Sequence, residues 1–449
     1  LPYFNLIFGG LCKLSVDVNI DVKNGAILLD GMMKDIVTES ESFQVESFIP
    51  LLRKYITKTN PHVRQLLVQW ITALDSVPDI DMLVWLPTFL EGLFNMLSDV
   101  NRPIRSAADH ALSDFLREIK QAKHVEFGPC GKSEVGMVAV LVEQCKSKHI
   151  LARMTAVQWI REFVLIGKEQ LVPYFGELLE AVLACVSDRE EEIRNSTSQA
   201  NEALIGLVRR THAGASAGGG GGGSGGITTT TTTNSVTSSA KATTAPSIDL
   251  MSLITRLTLN LVNEHEITRM TSLRWISMLL EKCPDEMNTC VDEYFFALLR
   301  TLEDPSDQIV QVSLRNLALV SRSDMLFRRV LVKVVELFGS KRSLLENRGS
   351  LIVRHLCILL SAEKVYCELA TIMQTQEDLE FTSLMVQMLN LILLTASELE
   401  PLRVKLKGSL SSLSSSSSSF KIFETVFNSW CHAPVAALSL CFLAQAYDL

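Results

Sequence analysis

The sequence predicts an all-α protein in which antiparallel helix pairs stack into a solenoid, and two repeated motifs carry that prediction. The first motif begins with Arg and ends with Trp-Ile, and it occupies residues 64–71, 153–160 and 269–276. The second is a short segment ending in Asp, at residues 97–99, 186–188 and 302–304. Both motifs are spaced by 89 and then 116 residues. Because they keep the same intervals, they mark copies of one unit with an insertion before the third copy.

The first motif has the apolar spacing of a helix. In the first copy, apolar residues follow one another at i, i+4, i+7, i+8 and i+11, namely Val63, Leu67, Trp70, Ile71 and Leu74. This spacing places all five on one helical face. Asn60-Pro61 is a turn signal directly before that helix. We therefore expect each motif to lie on the second helix of a helix pair.

The remaining helices follow from the same periodicity. Before the insertion we predict helices at 25–37, 43–56, 63–77, 83–97, 103–119, 135–146, 152–166, 172–186 and 191–210. After it we predict helices at 250–263, 268–282, 291–302, 308–320, 326–338, 349–360, 364–373, 379–396, 420–430 and 434–447. A polar loop is predicted at 121–133. The Arg/Trp motif fades beyond residue 323, although the helical pattern continues.

Low-complexity segments divide the chain. Residues 211–247 contain a Gly run, a Thr run and a Ser/Ala stretch, and we predict a disordered linker because such a composition buries too little apolar surface to fold. The linker separates an N-terminal repeat array at 1–210 from a C-terminal helical domain at 248–449. A second low-complexity loop, rich in Ser, is predicted at 410–419.

Composition excludes several classes of protein. The net charge is −8 and basic residues form no run, which disfavours nucleic-acid binding. The ten cysteines are scattered through apolar helical stretches, and no Cys-x-x-Cys motif occurs. We expect Cys185, Cys357 and Cys441 to be reduced core residues of a cytosolic protein.

No residue is assigned a catalytic, cofactor-binding or metal-binding role, and the chain is predicted not to be an enzyme. Residues 222–226 match Gly-x-Ser-x-Gly but lack the strand-turn-helix context of a nucleophile. Residues 265–269 approach a zinc-protease helix, but Arg269 stands where the second ligand is needed. Asp79 and Asp81 are better explained as helix caps than as a magnesium site. A phosphate-binding Gly-Lys-Ser/Thr loop is absent from the sequence.

Charged residues suggest contacts between repeats. Asp99 precedes Arg105 by six residues, and Asp188 precedes Arg194 by the same distance. We predict that each Asp pairs with that Arg and pins successive turns in the stack. The densest basic group comprises Arg328, Arg329, Lys333, Lys341 and Arg342. It is explained either as a solvated face or as a surface for an acidic partner or anionic lipid.

The chain begins with Leu1 inside an apolar segment and ends directly after an apolar helix, so both ends are expected to be cuts within a longer protein. No transmembrane span is predicted. Residues 385–394 are interrupted by polar side chains, and residues 433–446 are shorter than the roughly 20 residues that cross a bilayer.

The helix pair with Asp in its turn and Arg early in its second helix resembles a HEAT repeat. Longer strings are more specific. Residues 27–40 (Ile-Leu-Leu-Asp-Gly-Met-Met-Lys-Asp-Ile-Val-Thr-Glu-Ser), 48–53, 64–80 and 429–435 (Ser-Trp-Cys-His-Ala-Pro-Val) resemble the vacuole-morphology HEAT-repeat scaffold of the phosphatidylinositol 3-phosphate 5-kinase complex. The resemblance covers most of the chain outside the two low-complexity loops.

This resemblance implies a non-enzymatic scaffold that brings the lipid kinase together with an opposing Sac-type phosphoinositide phosphatase. The scaffold would control phosphatidylinositol 3,5-bisphosphate from the cytosolic face of endosome and vacuole membranes. On this reading 248–449 is the phosphatase-binding region, and the complete protein self-associates. The alternative is a generic HEAT-repeat adaptor for transport or phosphatase regulation. Neither interpretation includes nucleic acid or a cofactor.

Overall fold

The computed structural model describes residues 3–40, 43–122, 124–129, 135–217, 248–409 and 418–446. The protein is 81% helical, and these described ranges contain no β-strand. The predicted all-α class built from stacked helix pairs is therefore confirmed. The chain divides into two compact units, Leu1–Asp249 (unit 1) and Leu250–Leu449 (unit 2).

Unit 1 is a two-layer stack of helix pairs. Its helices are α1 Phe4–Leu14, α2 Ile20–Glu39, α3 Val45–Ile56, α4 Pro61–Asp75, α5 Leu86–Met96, α6 Arg102–Gln121, α7 Met137–Cys145, α8 Ile150–Gly167, α9 Phe175–Cys185 and α10 Glu191–Ala217. Short 3₁₀ helices at Met82–Val84 and Lys168–Tyr174 precede α5 and α9. The first helices α3, α5, α7 and α9 pack in succession, and so do the second helices α4, α6, α8 and α10. Each pair therefore buries its apolar faces against its neighbours.

Unit 2 repeats this arrangement. Its helices are α11 Leu250–Asn260, α12 Glu266–Lys282, α13 Pro284–Thr289, α14 Val291–Arg300, α15 Asp307–Val320, α16 Asp324–Ser340, α17 Arg342–Leu344, α18 Ser350–Leu359, α19 Ala362–Gln374, α20 Leu379–Thr395, α21 Glu400–Lys407, α22 Ser418–Trp430 and α23 Pro434–Ala444. Helices α12, α15, α18, α20 and α23 pack in succession as one layer. The stacking continues beyond residue 323, where the Arg/Trp motif is lost.

The repeated motif supplies the core of both units. Trp70, Trp159 and Trp275 are each at most 1% exposed, and the apolar residues that share their helical faces are buried with them. The ring of Trp70 meets Phe4, Phe8 and Phe48 edge-on, with centroids 5.5–5.7 Å apart. Such edge contacts add to the stabilisation from buried area. One aromatic anchor per copy therefore holds neighbouring pairs together.

Several boundaries differ from the predictions. The linker was predicted to begin at residue 211, but α10 continues to Ala217, because Ala213, Ala215 and Ala217 favour a helix. The rest of the predicted linker, 218–247, lies outside the described residues, as does most of the Ser-rich loop at 410–419. The linker and domain boundaries remain predictions. Helix α9 begins at Phe175 because Pro173 lies in a 3₁₀ turn. Helices α1, α13, α17 and α21 were not predicted individually.

Replacing Trp159 with Ala tests the role of the repeated Trp. The ring lies between Phe94 and Phe163, at centroid distances of 6.0 and 5.7 Å, so its removal leaves a cavity. We expect unit 1 to lose about 3–5 kcal/mol of unfolding free energy. Urea unfolding followed by circular dichroism measures the loss. Leu165→Ala, on the same helix but 44% exposed, is the matched control. An unchanged midpoint for Trp159→Ala would contradict the assignment.

Candidate partner-binding surfaces

Three ion pairs join consecutive helix pairs at the turns between first and second helices. The nearest N–O distances are 2.6 Å for Arg64–Asp99, 2.7 Å for Arg153–Asp188 and 2.6 Å for Arg269–Asp304. Each Arg opens the first repeated motif, and each Asp closes the second motif 35 residues later. These contacts, called Arg–Asp rungs below, tie the second helix of one pair to the turn of the next.

The predicted pairing of Asp99 with Arg105, and of Asp188 with Arg194, names the wrong partner. Arg105 donates from Nη1 to the main-chain carbonyl of Asp99 at 2.7 Å, and Arg194 does the same to Asp188 at 2.8 Å. Arg64 closes its own turn in this way through the carbonyl of Lys58. A six-residue separation therefore brings each Arg to a carbonyl, while the Asp carboxylate faces the Arg of the preceding pair.

The third rung is completed from further along the chain. Val310 occupies the position where the other copies carry an Arg six residues after the Asp. Arg348 supplies the cation instead and donates to the carbonyls of Asp304 and Pro305. It also lies 3.0 Å from a carboxylate oxygen of Asp307. Arg348 sits in a π-helical turn, Leu345–Gly349, an irregularity that re-aims side chains within a helix.

Electrostatics favour the ionised form of the rung carboxylates. Burial opposes ionisation of Asp188, but hydrogen bonds from Arg153 and from the N–H of Glu190 outweigh it and lower the pKa of Asp188. Burial also opposes ionisation of Asp99, whose pKa is nevertheless lowered by the N–H of Asn101 and by Arg64. The Arg64–Asp99 and Arg153–Asp188 rungs are therefore charged pairs at neutral pH, and their side chains are mostly shielded from water.

Asp30 attaches the first two helices to the stack. Its carboxylate accepts a 2.6 Å hydrogen bond from Nε1 of the buried Trp70 and another of the same length from Lys34. The Lys34 ammonium also lies 5.7 Å from the centre of the Trp70 ring. A buried carboxylate is costly unless it is fully paired, so this network specifies how α2 packs on α4.

The basic group singled out in the sequence is paired with carboxylates. Arg329 lies 2.5 Å from Asp292, Arg328 3.3 Å from Glu368, Lys333 2.6 Å from Glu336 and Arg342 2.7 Å from Asp378, while Lys341 pairs with Glu303. Most of these pairs cross from one helix pair to another. The positive charge of the group is therefore neutralised by carboxylates within unit 2. This favours the solvated-face interpretation over a surface for anionic lipid.

The motifs examined for chemistry have structural places. The Asp81 carboxylate accepts the N–H of Leu83 and caps a 3₁₀ helix. Arg269, at the end of the near-match to a zinc-protease helix, is a rung residue. Residues 222–226 lie outside the described residues. Within the described part of the chain, no group of three His, Cys, Asp or Glu side chains is placed to hold a metal ion.

The cysteines occupy largely apolar surroundings. Cys185 and Cys357 are buried, Cys441 is half-buried and Cys431 is exposed. Burial, with a smaller contribution from the charge of Glu398, raises the pKa of Cys357 to about 12. A thiol with such a pKa is a poor nucleophile.

An exposed apolar surface covers the first two helices. Leu28, Met32 and Ile36 recur every four residues along one face of α2 and are each at least half exposed. Ile27 on α2 and Leu6 on α1 are exposed as well. We call these five residues the N-terminal apolar surface. Exposed apolar residues that recur along one helical face, as Leu28, Met32 and Ile36 do, are typical of interaction sites.

A second such surface lies at the end of unit 2. Helices α20 and α23 pack together, and Ser439 donates a 3.0 Å hydrogen bond to the Asn390 side chain between them. Their outer faces expose Leu384, Leu391 and Leu394 on α20 and Val435, Leu438 and Phe442 on α23. We call these six residues the C-terminal apolar surface. Trp430 is not among them, because it is fully buried and donates to Asn390.

Helix length and hydropathy bear on membrane crossing. Among the described residues, no single helix is both long and apolar enough to span a bilayer. Leu379–Thr395 together with Ser397–Lys407 meets the length and hydropathy test, but the two segments are bent by 85°.

Comparison with known proteins finds family models that match both ends of the sequence. Residues 1–35 match a family model described as the Vacuolar 14 Fab1-binding region. Residues 342–449 match a model described as Vacuolar protein 14 C-terminal Fig4p binding. The N-terminal apolar surface lies within or beside the first range, and the C-terminal apolar surface lies within the second.

Curated relatives agree with these matches. A VAC14 homolog from Arabidopsis thaliana is 44% identical over 446 residues, which cover 99% of this chain and 54% of the relative. The chain belongs to the Vac14 family. A VAC14 homolog from Schizosaccharomyces pombe is 30% identical, and vacuole morphology and inheritance protein 14 from Saccharomyces cerevisiae is 22% identical; the matches cover 62% of each relative. The chain thus spans little more than half the length of the curated family members it matches.

Solved structures with similar folds are repeat proteins. Yeast importin-β (Kap95p) is 11% identical with a TM-score of 0.30, and the alignment covers 99% of this chain and 58% of importin-β. A designed armadillo repeat protein is 12% identical with a TM-score of 0.25, over 60% of this chain and 99% of the designed protein. Superpositions this loose carry no functional argument.

Family membership confirms the resemblance found in the sequence, and the structure refines it. The family model for Fig4p binding begins at residue 342, whereas the predicted phosphatase-binding region began at 248. Ser429 and Trp430, which begin the Ser-Trp-Cys-His string of that resemblance, are buried and contribute packing. The two apolar surfaces were not found by sequence reasoning, because exposed and buried leucines look alike until the neighbours of each helix are known.

Asp75 on α4 lies beside Glu118 on α6, and its carboxyl group titrates near neutral pH. Burial is the largest influence on Asp75, followed by the charge of Glu118 and a hydrogen bond with its carboxyl group; the charge of Asp114 acts the same way. Arg117 opposes these effects but does not cancel them. The pKa of Asp75 is raised to about 7.

A double-mutant cycle on Arg153 and Asp188 tests the rungs. Both side chains are largely shielded, at 16% and 8% exposure, so removing either one strands the charge of the other. We expect Arg153→Ala and Asp188→Ala to show a coupling energy of about 0.5–3 kcal/mol in urea unfolding. The exposed pair Arg117–Asp114 serves as the control and should couple by less than about 1 kcal/mol. Equal coupling in the two cycles would contradict the structural role of the rung.

The Asp75 titration predicts how stability depends on pH. Folding raises the pKa of Asp75 from about 4 to about 7, so the folded state keeps the proton where the unfolded state releases it. The contribution of Asp75 to stability therefore falls as pH rises from about 4 through 7. We expect Asp75→Asn to raise the Tm of unit 1 at pH 8 and to change it much less at pH 5. Glu91→Gln, at an exposed position, is the control. A gain of the same size at both pH values would argue against the shared proton.

Proposed function

We propose that the chain is a non-enzymatic scaffold segment that holds a phosphatidylinositol 3-phosphate 5-kinase of the Fab1 type and an opposing Sac-type phosphatase of the Fig4 type in one complex. The kinase would engage the region around residues 1–35, and the phosphatase the region at 342–449. The observation that carries the proposal is that two binding regions of one family match separate ends of the chain. These ends belong to different compact units, so each partner has its own platform.

The two apolar surfaces supply the means of binding. Burying apolar area at an interface stabilises a complex by roughly 25 cal/mol per Å² before the costs of association. The Asp30 network holds α2 against α4, and the Ser439–Asn390 hydrogen bond joins α23 to α20. The helices that present these surfaces are therefore held in place, so little conformational entropy is lost on binding. The scaffold would contribute proximity, because two partners on one chain meet at a high effective concentration. No catalytic group is required of it.

The chemistry of the partners sets the expected location and consequence. A kinase that makes phosphatidylinositol 3,5-bisphosphate and a phosphatase that removes its 5-phosphate act on the same lipid, so a shared scaffold controls both synthesis and turnover. The complex would work on the cytosolic face of vacuole and endosome membranes, consistent with the vacuolar names of the relatives. Self-association of the complete protein is part of the same proposal.

Separate surface variants test the two attachments. We expect Leu28→Asp combined with Met32→Asp to reduce kinase recovery at least tenfold in a pull-down with purified kinase and phosphatase, and to leave phosphatase recovery unchanged. Leu391→Asp combined with Phe442→Asp should have the reverse effect. A charge placed in an apolar contact must be desolvated, which accounts for both losses.

The controls are isolated exposed apolar residues in the same units, Val100→Asp in unit 1 and Met325→Asp in unit 2, which are 92% and 78% exposed. Circular dichroism confirms that every variant retains its helices. If the unmodified chain recovered neither enzyme, the scaffold function would be refuted. If both surface variants recovered both enzymes, the scaffold would stand but these surfaces would not be the attachment sites.

A further inference from the structure

A groove runs along the edge of unit 1 that lies opposite the Arg–Asp rungs. The rungs occupy the turns inside each helix pair, so the connections between pairs meet at the other edge. Two adjoining cavities of about 1280 and 670 Å³ open there, and Asp81 and Val84 line both of them. The connections after α2, α4, α6 and α8 all contribute walls.

The floor of the larger cavity is apolar and held in place. Leu83, Pro87, Ile119 and Met137 line it together with Phe127. Phe127 is buried, and its ring meets that of Phe163 edge-on at 4.9 Å. Its carbonyl accepts the N–H of Val138, which fixes the connection against the start of α7. The cavity is therefore preformed and does not depend on a partner to open it.

Close backbone packing also shapes the wall. A side chain at Gly128 would place its Cβ 1.8 Å from the Tyr174 hydroxyl, and one at Gly136 would come within 2.5 Å of the Gly128 backbone. Only glycine allows these approaches. Gly128 is thus packed tightly against Tyr174, in the turn that precedes α9, and Gly136 against Gly128.

In the part of the groove that the structure describes, the formally charged lining side chains are all carboxylates. Glu46 and Asp79 line the smaller cavity, Glu126 lines the larger one, and Asp81 lies between them. Among the described residues that line the two cavities, there is no Lys or Arg. Among the described residues, none of these four carboxylates forms a salt bridge, in contrast to the paired acids of the rungs and of unit 2. The groove therefore presents uncompensated negative charge beside an apolar floor.

We propose that this groove binds an extended peptide segment of a partner protein, in which lysine or arginine residues alternate with leucine or valine residues. The apolar side chains would enter the cavities, and the cations would face Asp81 and Glu126. Complementary charge directs such a segment and fixes its register, while apolar burial supplies most of the affinity. The same charge repels phosphate groups, so an anionic lipid or a nucleic acid does not fit this edge.

The proposal is independent of the two apolar surfaces assigned above. It concerns a different edge of unit 1 and a segment rather than a folded domain. Its test needs only the full chain and synthetic probes, so it succeeds or fails without the kinase or the phosphatase.

Fluorescence anisotropy with three labelled octapeptides tests the groove. The first probe is Gly-Lys-Leu-Lys-Val-Lys-Leu-Gly; the second has Glu in place of each Lys, and the third has Ser in place of Leu and Val. We expect the first probe to bind at least tenfold more tightly than either of the others. Its affinity should fall as salt is raised from 0.05 to 0.5 M, because exposed charges are screened.

A charge-reversal variant locates the binding. Asp81→Lys combined with Glu126→Lys alters two exposed side chains and should weaken the first probe at least tenfold. The matched control is Glu91→Lys combined with Glu143→Lys, two exposed acids of unit 1 that do not line the groove. Equal binding of the first probe to the parent and the groove variant would overturn the proposal. So would equal binding of the first and third probes, because attraction by charge alone needs no groove.

Discussion

The Arg–Asp rungs are the contacts on which the geometry of both units depends. Apolar burial drives the helix pairs together, but a smooth leucine-rich interface allows neighbouring pairs to slide or rotate. A rung removes that freedom, because Arg153 can reach Asp188 at 2.7 Å only when one pair is in register with the next. Arg153 also donates a hydrogen bond to the main-chain carbonyl of Ser147 in its own turn. One side chain thus fixes a turn and its spacing to the following pair.

The register of the helix pairs determines which side chains are paired inside the stack and which remain exposed. The charged side chains at the edge with the rungs pair with one another inside the stack. In unit 2 a further set of cations forms ion pairs between helices, as Arg329 does with Asp292. The surfaces left for partners are those without such pairing, namely the two apolar surfaces and the acidic groove. The stack is thus divided between edges that hold it together and faces that remain open.

The sequence predicted most of the fold and little of the partner-binding geometry. The repeated motif predicted the helix pairs because a buried Trp and its flanking apolar residues leave a periodic trace, as at Trp159. The Asp188 partner was assigned to Arg194 because proximity in sequence was the only distance available. The true partner, Arg153, lies 35 residues away and becomes a neighbour only through stacking. Val310 illustrates the same limit. It stands where the other copies carry an Arg, and Arg348 from another helix donates to the carbonyl of Pro305 instead.

By itself the sequence determined that the chain is all-α, that its unit is a helix pair, where most of its helices begin and end to within a few residues, and to which family it is related. Local periodicity and position-specific strings encode these properties, and neither depends on distant contacts. Only the tertiary structure decided which leucines are exposed, which carboxylates are paired and where a groove opens. Those properties depend on which helices become neighbours. The sequence of one segment cannot determine them, because burial and charge compensation both require a second segment that packs against the first.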